Sequence, residues 1–250
     1  MAKKDVETLT IDYHCHLLPG IDDGAPTMDE SLDMARILVT AGFTTVCCTP
    51  HLIKGVYEAG APAIRALTAD LQRRLAAAAI NLRIVAGAEY YLDEYLPEFL
   101  KDPLLLDESK LLLIEISNTA NIEFIQETLY RIKSSGLTPL VAHPERCQLL
   151  SLPDCAAERK GFKRVFRSPL ATRQTLASAP SLLHYLQSIG CQFQGNIGSF
   201  SGLYGDRVMA QAFSFLRAGL YTHFGSDAHQ SRNLAEILYK GRRAIAADNL

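Results

Sequence analysis

Three things are missing from this 250-residue sequence, and each absence narrows its class. There is no C-x-x-C pair among the six cysteines, Cys15, Cys47, Cys48, Cys147, Cys155 and Cys191. Several of them sit inside apolar, strand-like runs. A chain of this size does not need disulfides, so reduced thiols are expected. There is no apolar run long enough to cross a bilayer: the most apolar stretch, residues 104–116, is interrupted by Asp107, Glu108 and Lys110. There is also no marked excess of charge of either sign. The formal net charge of −2 does not suggest nucleic acid or an anionic membrane as a partner. The opening MAKKDVETLT turns polar after two lysines and lacks the apolar run of a secretion signal, so a soluble, cytoplasmic protein is expected, with no insertion into a membrane.

What is present is an alternation. Short apolar or β-branched runs predict strands over 8–16, 43–49, 82–88, 111–116, 138–142, 191–196 and 221–226. Longer amphipathic runs predict helices over 28–41, 62–79, 122–135, 181–189, 206–218 and 234–247. Leu67, Leu71 and Leu75 repeat at helical spacing. Thr27 followed by Glu30 has the pattern of a capping box, and Gly42 and Gly136 supply stops. Seven strands, mostly followed by helices, predict an α/β fold with a parallel sheet closed into a barrel. Residues 149–179 break the rhythm. They carry Arg159, Lys160, Lys163, Arg164, Arg167 and Arg173, and read as a basic insertion in one domain over 8–250.

The polar residues fall where the predicted strands end. These ends are His14-Cys15-His16, Thr49-Pro50-His51, Ala88-Glu89, Ile114-Glu115, Ala142-His143-Pro144-Glu145-Arg146 and Ser226-Asp227-Ala228-His229. In a parallel barrel all of these ends share one rim, and catalysis occurs on that rim. Asp22 and Asp23 lie in the loop after the first strand, within reach of it. Residues two apart on a strand face the same way. His14 and His16 can therefore share an ion while Cys15 turns away, and Asp227 and His229 have the same spacing. A mixed imidazole and carboxylate set suits Mn, Fe or Zn rather than a thiolate site. The number of carboxylates calls for more than one cation, because uncompensated they would repel each other. Any one of these features is weak alone. A lone H-x-H is commonly structural, and Asp22-Asp23-Gly24 could be a simple turn. Coincidence at six strand ends is what points to a metal site. His184, in a helix, and His223, at the opposite end of the last strand, are left out of it.

In this order the segments HCHLLPGIDDG, TPH, GAEYY, LIEIS, AHPER and GSDAH resemble the PHP superfamily, named for polymerase and histidinol phosphatase domains. The run D-x-H-x-H, then D-G, then TPH is most similar to the manganese-dependent bacterial tyrosine phosphatases of capsule and exopolysaccharide loci. The resemblance spans Asp12 to the last helix and implies a distorted seven-stranded (β/α) barrel with three metals in a row. It implies that His14, His16, Glu89 and Asp227 hold the first, that Glu89 bridges to a second completed by Glu115 and His143, and that Asp23, His51 and His229 hold the third. Arg146 and, on a weaker local match, Arg207 correspond to arginines that bind the substrate phosphate. Asn196 completes the rim without an assigned ligand role.

The implied activity is phosphomonoester hydrolysis, in which hydroxide attacks phosphorus after bound metal has lowered the pKa of a water from ~15.7 toward ~7. Mn2+ is the implied ion, with Fe, Zn or Mg as alternatives. The implied partner is a phosphotyrosine protein, an autophosphorylating tyrosine kinase, with no role for nucleic acid. An oligomer is compatible with the sequence. No cysteine shows the C-x5-R pattern of thiol tyrosine phosphatases. Competing readings are histidinol phosphatase or another small-molecule PHP phosphoesterase, and a silent regulator, which the filled ligand positions disfavour. An amidohydrolase-type barrel is disfavoured by Glu115 where that class commonly has lysine.

Overall fold

The computed structural model describes residues 9–106, 110–151 and 181–248. Its strands are β1 (Ile11–Cys15), β2 (Thr45–Cys48), β3 (His51–Leu52), β4 (Arg83–Ala86), β5 (Glu89–Tyr91), β6 (Leu111–Glu115), β7 (Thr138–Ala142), β8 (Gln192–Asn196) and β9 (His223–Gly225). Its helices are α1 (Met28–Thr40), α2 (Ala61–Ala77), α3 (Leu96–Phe99), α4 (Ile122–Ser134), α5 (Leu182–Ser188), α6 (Ile197–Phe200), α7 (Asp206–Arg217) and α8 (Leu234–Asp248).

The seven expected strand segments are all present, but two are broken. The segment 43–49 stops at Cys48 and resumes as β3 after Pro50, which has no N–H to give to a ladder. The segment 82–88 stops at Ala86, two residues before the expected end, and resumes past Gly87 at Glu89. The sheet therefore divides into β1-β2-β4 and β3-β5-β6-β7-β8-β9, every pair within them parallel. The ring is completed where β1 meets the end of β9. Cys15 and Ala228 form a parallel bridge, and Asp227 N–H donates to the His14 carbonyl at 2.7 Å. This is the α/β, distorted barrel-like fold expected. Its break after β2 and β4 carries His51 and Glu89 onto the short strands β3 and β5, which pair directly.

Alternation along β6 divides the core. Leu111 and Leu113 pack with Cys47, Leu140 and Ala142 of the neighbouring strands in a small cluster. Leu112 and Ile114 join the large cluster that holds the helices, including Leu71 and Leu75 of α2 and Leu129 of α4. Burial on both faces explains why this strand reads as a continuous apolar run.

The helices form within one or two residues of their expected bounds. Thr27 caps α1 by accepting from Glu30 N–H at 3.2 Å. The capping box is only half made, because Glu30 Oε1 accepts from Ser231 N–H across the molecule. Asn121 caps α4, accepting from Phe124 N–H. Gly136 follows α4 at φ 86°. The basic insertion expected over 149–179 lies outside the described residues from 152 onward. Among the described residues no helix is long and apolar enough to cross a membrane.

Candidate metal centre

Parallel strands bring their C-terminal ends to one rim, and there Glu89 sits at the centre of four imidazoles. Its Oε2 lies 3.1 Å from His14 Nε2, 3.4 Å from His16 Nε2 and 3.0 Å from His51 Nδ1. Its Oε1 lies 2.9 Å from His143 Nε2. Asp227 Oδ1 is 3.3 Å from Nε2 of both His14 and His16. Asp23 Oδ1 is 3.6 Å from His51 Nε2 and 3.5 Å from His229 Nε2.

Three overlapping groups could each hold a cation: His14, His16, Glu89 and Asp227; His16, Asp23, His51 and His229; and His51, Glu89 and Glu115. The first contains the residues implied for one metal. The second contains the implied Asp23, His51 and His229, with His16 added. In the third, Glu89 and Glu115 come together with His51, whereas His143 reaches Glu89 alone.

The donor chemistry fits cations. Glu89 Oε2 and His51 Nδ1 are buried and, although 3.0 Å apart, are not aligned for a hydrogen bond with each other or with any other group. An ionised carboxylate and imidazoles buried together without such partners are costly unless a cation completes them. Three of the rings are also aimed. His14 Nδ1 lies 3.0 Å from Gln194 Oε1, and the Gln194 amide is oriented by accepting from His143 N–H and donating to the Gly195 carbonyl. His16 Nδ1 lies 2.7 Å from Asp22 Oδ2, and His229 Nδ1 lies 3.0 Å from the Asp227 carbonyl. All three Nδ1 atoms face oxygen acceptors and donate to them, which leaves Nε2 for a metal. Such outer partners typically fix metal-binding histidines.

Electrostatics agree. Burial opposes a charged His14, but Glu89 and Asp227 outweigh it and carry its pKa up to about 9. Burial likewise opposes charge on His16, but the close carboxylates of Asp22, Asp227 and Glu89 outweigh it and raise its pKa well above the ordinary value. Burial raises Glu89, yet His14 and its neighbours hold it well below the usual carboxylate range. The carboxylates demand positive charge here, whether from protons or from metal.

The backbone is shaped for this arrangement. His143 and Asp227 both adopt positive φ, at 28° and 52°, a conformation uncommon outside glycine, which His and Asp tolerate better than most residues and which clusters at functional sites. Gly225 is required by crowding: a Cβ there would stand 2.5 Å from His14 Cβ. Gly24 closes the acidic turn, donating its N–H to Asp22 Oδ1 at 2.9 Å, and a Cβ there would stand 2.5 Å from His16 Cβ.

Arg146, on a short 3-10 turn over Pro144–Arg146, donates to Asp227 Oδ2 at 2.7 Å. Arg207 stands exposed in the first turn of α7, with no hydrogen bond or ion pair to the cluster among the described residues. His223 packs edge-on against Tyr13, and His184 is exposed on α5; neither joins a metal-holding group. Sequence reasoning did not assign Gln194, Asp22 or Tyr204 a role, and left Asn196 without one. Asn196 Nδ2 donates to Asp227 Oδ2 at 2.8 Å, and Tyr204 Oη lies 3.2 Å from Asn196 Nδ2. Gln194 stands two residues before Asn196 on β8, a same-face spacing that offered a signal.

A parallel α/β barrel-like fold with overlapping histidine and carboxylate groups at its strand ends defines a metal-site protein of the barrel class. The chain belongs to the capsular polysaccharide synthesis family CpsB/CapC, whose model matches residues 10–157. It is 31% identical to the tyrosine-protein phosphatase YwqE of Bacillus subtilis strain 168, over 92% of this chain and 82% of that one. It is 21% identical to the putative tyrosine-protein phosphatase CapC of Staphylococcus aureus, over 89% and 78%. Among solved structures, one from the work on YwqE of Bacillus subtilis and CpsB of Streptococcus pneumoniae, described as unique metal-dependent tyrosine phosphatases, aligns with TM-score 0.72 and 26% identity. It covers 95% of this chain and 94% of its own. Histidinol phosphate phosphatase from Lactococcus lactis shares the fold, with TM-score 0.54 at 13% identity. The resemblance read from the motifs therefore holds.

Proposed function

We propose that this chain is a metal-dependent phosphomonoester hydrolase that removes phosphate from tyrosine in a protein controlling capsular or exopolysaccharide synthesis. The carrying observation is Glu89: a buried carboxylate with His14, His16, His51 and His143 within 3.4 Å and an orphaned oxygen in their midst. His14, His16, Glu89 and Asp227 would hold one cation, and Asp23, His51 and His229 another. Glu115, with Glu89, would serve a further one, His143 completing it. Mn2+ is the proposed ion, on the resemblance of the motifs; the donor set itself accepts several metals. When bound, such ions supply Lewis acidity and acidify a water toward neutrality.

The protein's own share is binding and charge. Arg146 is always protonated, and its guanidinium reaches the rim beside Asp227, where it can neutralise phosphoryl oxygens. Arg207, exposed on α7, would add a second contact to phosphate. In the overall reaction water adds to phosphorus, the bond to the phenolic oxygen breaks, and the phenol departs with a proton. The proposed protein substrate is an autophosphorylating tyrosine kinase, met in the cytoplasm. The proposed catalytic domain covers 8–250, with 149–179 inserted in it.

The test is metal analysis of purified protein, with turnover of a phosphotyrosine peptide and of histidinol phosphate under Mn, Fe, Zn and Mg. Faster turnover of the peptide is expected. Preference for histidinol phosphate would redirect the reading to small-molecule chemistry. A metal-loaded protein inert on both would overturn it in favour of a regulator.

A further inference from the structure

We propose that Tyr204 is a positioning residue for substrate phosphate, acting through the face of its ring on Arg146. The Arg146 Cζ stands 4.6 Å from the centre of the Tyr204 ring. One guanidinium nitrogen, Nη1, is hydrogen-bonded to Asp227 Oδ2 at 2.7 Å, and the side chain is 34% exposed. Arg146 is thus gripped on two sides, by an aromatic face and by a carboxylate, and the remainder of its fork of donors makes no other hydrogen bond among the described residues. A guanidinium is planar and binds phosphate through two parallel N–H donors, so its plane must be fixed before phosphate arrives. Asp227 alone, at one nitrogen, leaves the plane free to turn about that bond. The ring face removes this freedom.

The ring carries the effect rather than the hydroxyl. Tyr204 Oη lies 3.4 Å from Asp227 Oδ2, at the limit of a hydrogen bond. That same oxygen already accepts from Arg146 at 2.7 Å and from Asn196 at 2.8 Å. Losing the third and longest contact costs little, whereas losing the ring loses the cation–π contact. The loop supports this placement. Gly205 at φ 85° turns the chain into α7 immediately after Tyr204, and Asn196 Nδ2 donates to its oxygen from the end of β8.

The inference rests on the proposed phosphomonoesterase activity, so wild-type turnover of a phosphotyrosine peptide is measured first; its absence would count against that activity. With the wild type active, Tyr204→Leu should raise KM for the peptide, and the inhibition constant of inorganic phosphate, by roughly tenfold, the scale of a partly desolvated cation–π contact. Its kcat should change less than about threefold, and metal content should stay as in the wild type. Tyr204→Phe should remain within about threefold of wild type in both constants. Tyr204→His, with a smaller face, should fall between and serves where Tyr204→Leu does not fold. In an Arg146→Gln background, Tyr204→Leu should add almost nothing to the phosphate inhibition constant. The proposal is overturned by an unchanged KM and inhibition constant in Tyr204→Leu, by a kcat loss at constant KM, by Tyr204→Phe matching Tyr204→Leu, or by full additivity with Arg146→Gln.

Discussion

Asp22 Oδ2 accepts a hydrogen bond from His16 Nδ1 at 2.7 Å and, from the other side, one from the backbone N–H of His51 at 3.0 Å. One carboxylate oxygen thus fixes the ring of one candidate ligand and the main chain of another. It reaches His16 across the turn closed by Gly24, and by taking up Nδ1–H it leaves Nε2 facing Glu89 and Asp227. Asp22 itself is held below its usual pKa, because contact with His16 outweighs a burial that alone would raise it.

Removing this orientation should weaken metal binding without deleting a ligand. Asp22→Asn keeps an acceptor but loses the charge that makes His16 more basic. Metal affinity and turnover should each fall by about 10- to 100-fold, the range seen when outer partners of metal ligands are altered. Asp22→Ala should fall at least as far. Metal titration followed by turnover of p-nitrophenyl phosphate measures both. Wild-type affinity in Asp22→Ala would show that His16 needs no such partner.

Glu89 poses a sharper demand, since it touches all three metal-holding groups directly or through His16 and His51. Glu89→Gln keeps the shape and removes the charge the four imidazoles face. Metal content should drop below wild type, and turnover should fall more than about a hundredfold. Chelation of the wild type should reproduce the activity loss, and added divalent metal should restore it. If Glu89→Gln keeps full metal content and activity, the cluster does not depend on its central carboxylate.

Much of this centre was legible because a strand has a period of two and a parallel barrel has one working rim. His14 and His16, or Asp227 and His229, needed only spacing and position to be grouped. What the sequence hid is orientation. Asp22 and Asp23 are neighbours of the same type; only the folded turn sends one to the His16 ring and leaves the other between His51 and His229. Gln194 and Asn196 read as polar residues in a buried strand, and their roles emerge from the faces that β7 and β9 present to them. Tyr204 meets Arg146 from 58 positions away, through a loop with no periodicity to read. The breaks at Pro50 and Gly87 were equally hidden, because a continuous apolar run does not show where its ladder changes partner. Glu30 looked like the second half of a capping box until Ser231, two hundred residues on, took its carboxylate.

Cys15 lies between two candidate ligands yet belongs to the opposite side of the strand. It is fully buried in the large apolar cluster, and its thiol points to the Ala228 carbonyl at 3.7 Å. Burial raises its pKa well above the ordinary thiol value, so little reactive thiolate exists at neutral pH. Cys15→Ala should keep kcat and KM within about threefold of wild type and cost about 1 kcal/mol of stability. Iodoacetamide at neutral pH should leave native activity intact. Inactivation by Cys15→Ala as deep as that by His14→Ala would demand a covalent thiol step.

The thiol of Cys191, remote from the metal centre, makes a prediction about alkaline pH. It precedes β8, buried near Lys133 of α4. Burial lifts its pKa from the ordinary 9.0 to about 12, and the nearby Lys133 ammonium offsets only part of that rise. A folded-state pKa above the unfolded one stabilises the fold fully below pH 9. Above that, the unfolded thiol ionises while the folded one cannot, and the contribution is lost progressively as pH rises through 12. The slope approaches 1.36 kcal/mol per pH unit for one group, so wild type should lose on the order of 2 kcal/mol more than Cys191→Ala between pH 9 and pH 11. Urea unfolding of both proteins at pH 7, 9, 10 and 11 measures the difference directly. Other groups, tyrosines and lysines above all, titrate in the same window, but they are common to both proteins and cancel in the comparison. Parallel stability curves for the two proteins across this range would mean that the Cys191 thiol ionises as readily in the folded chain as in the unfolded one.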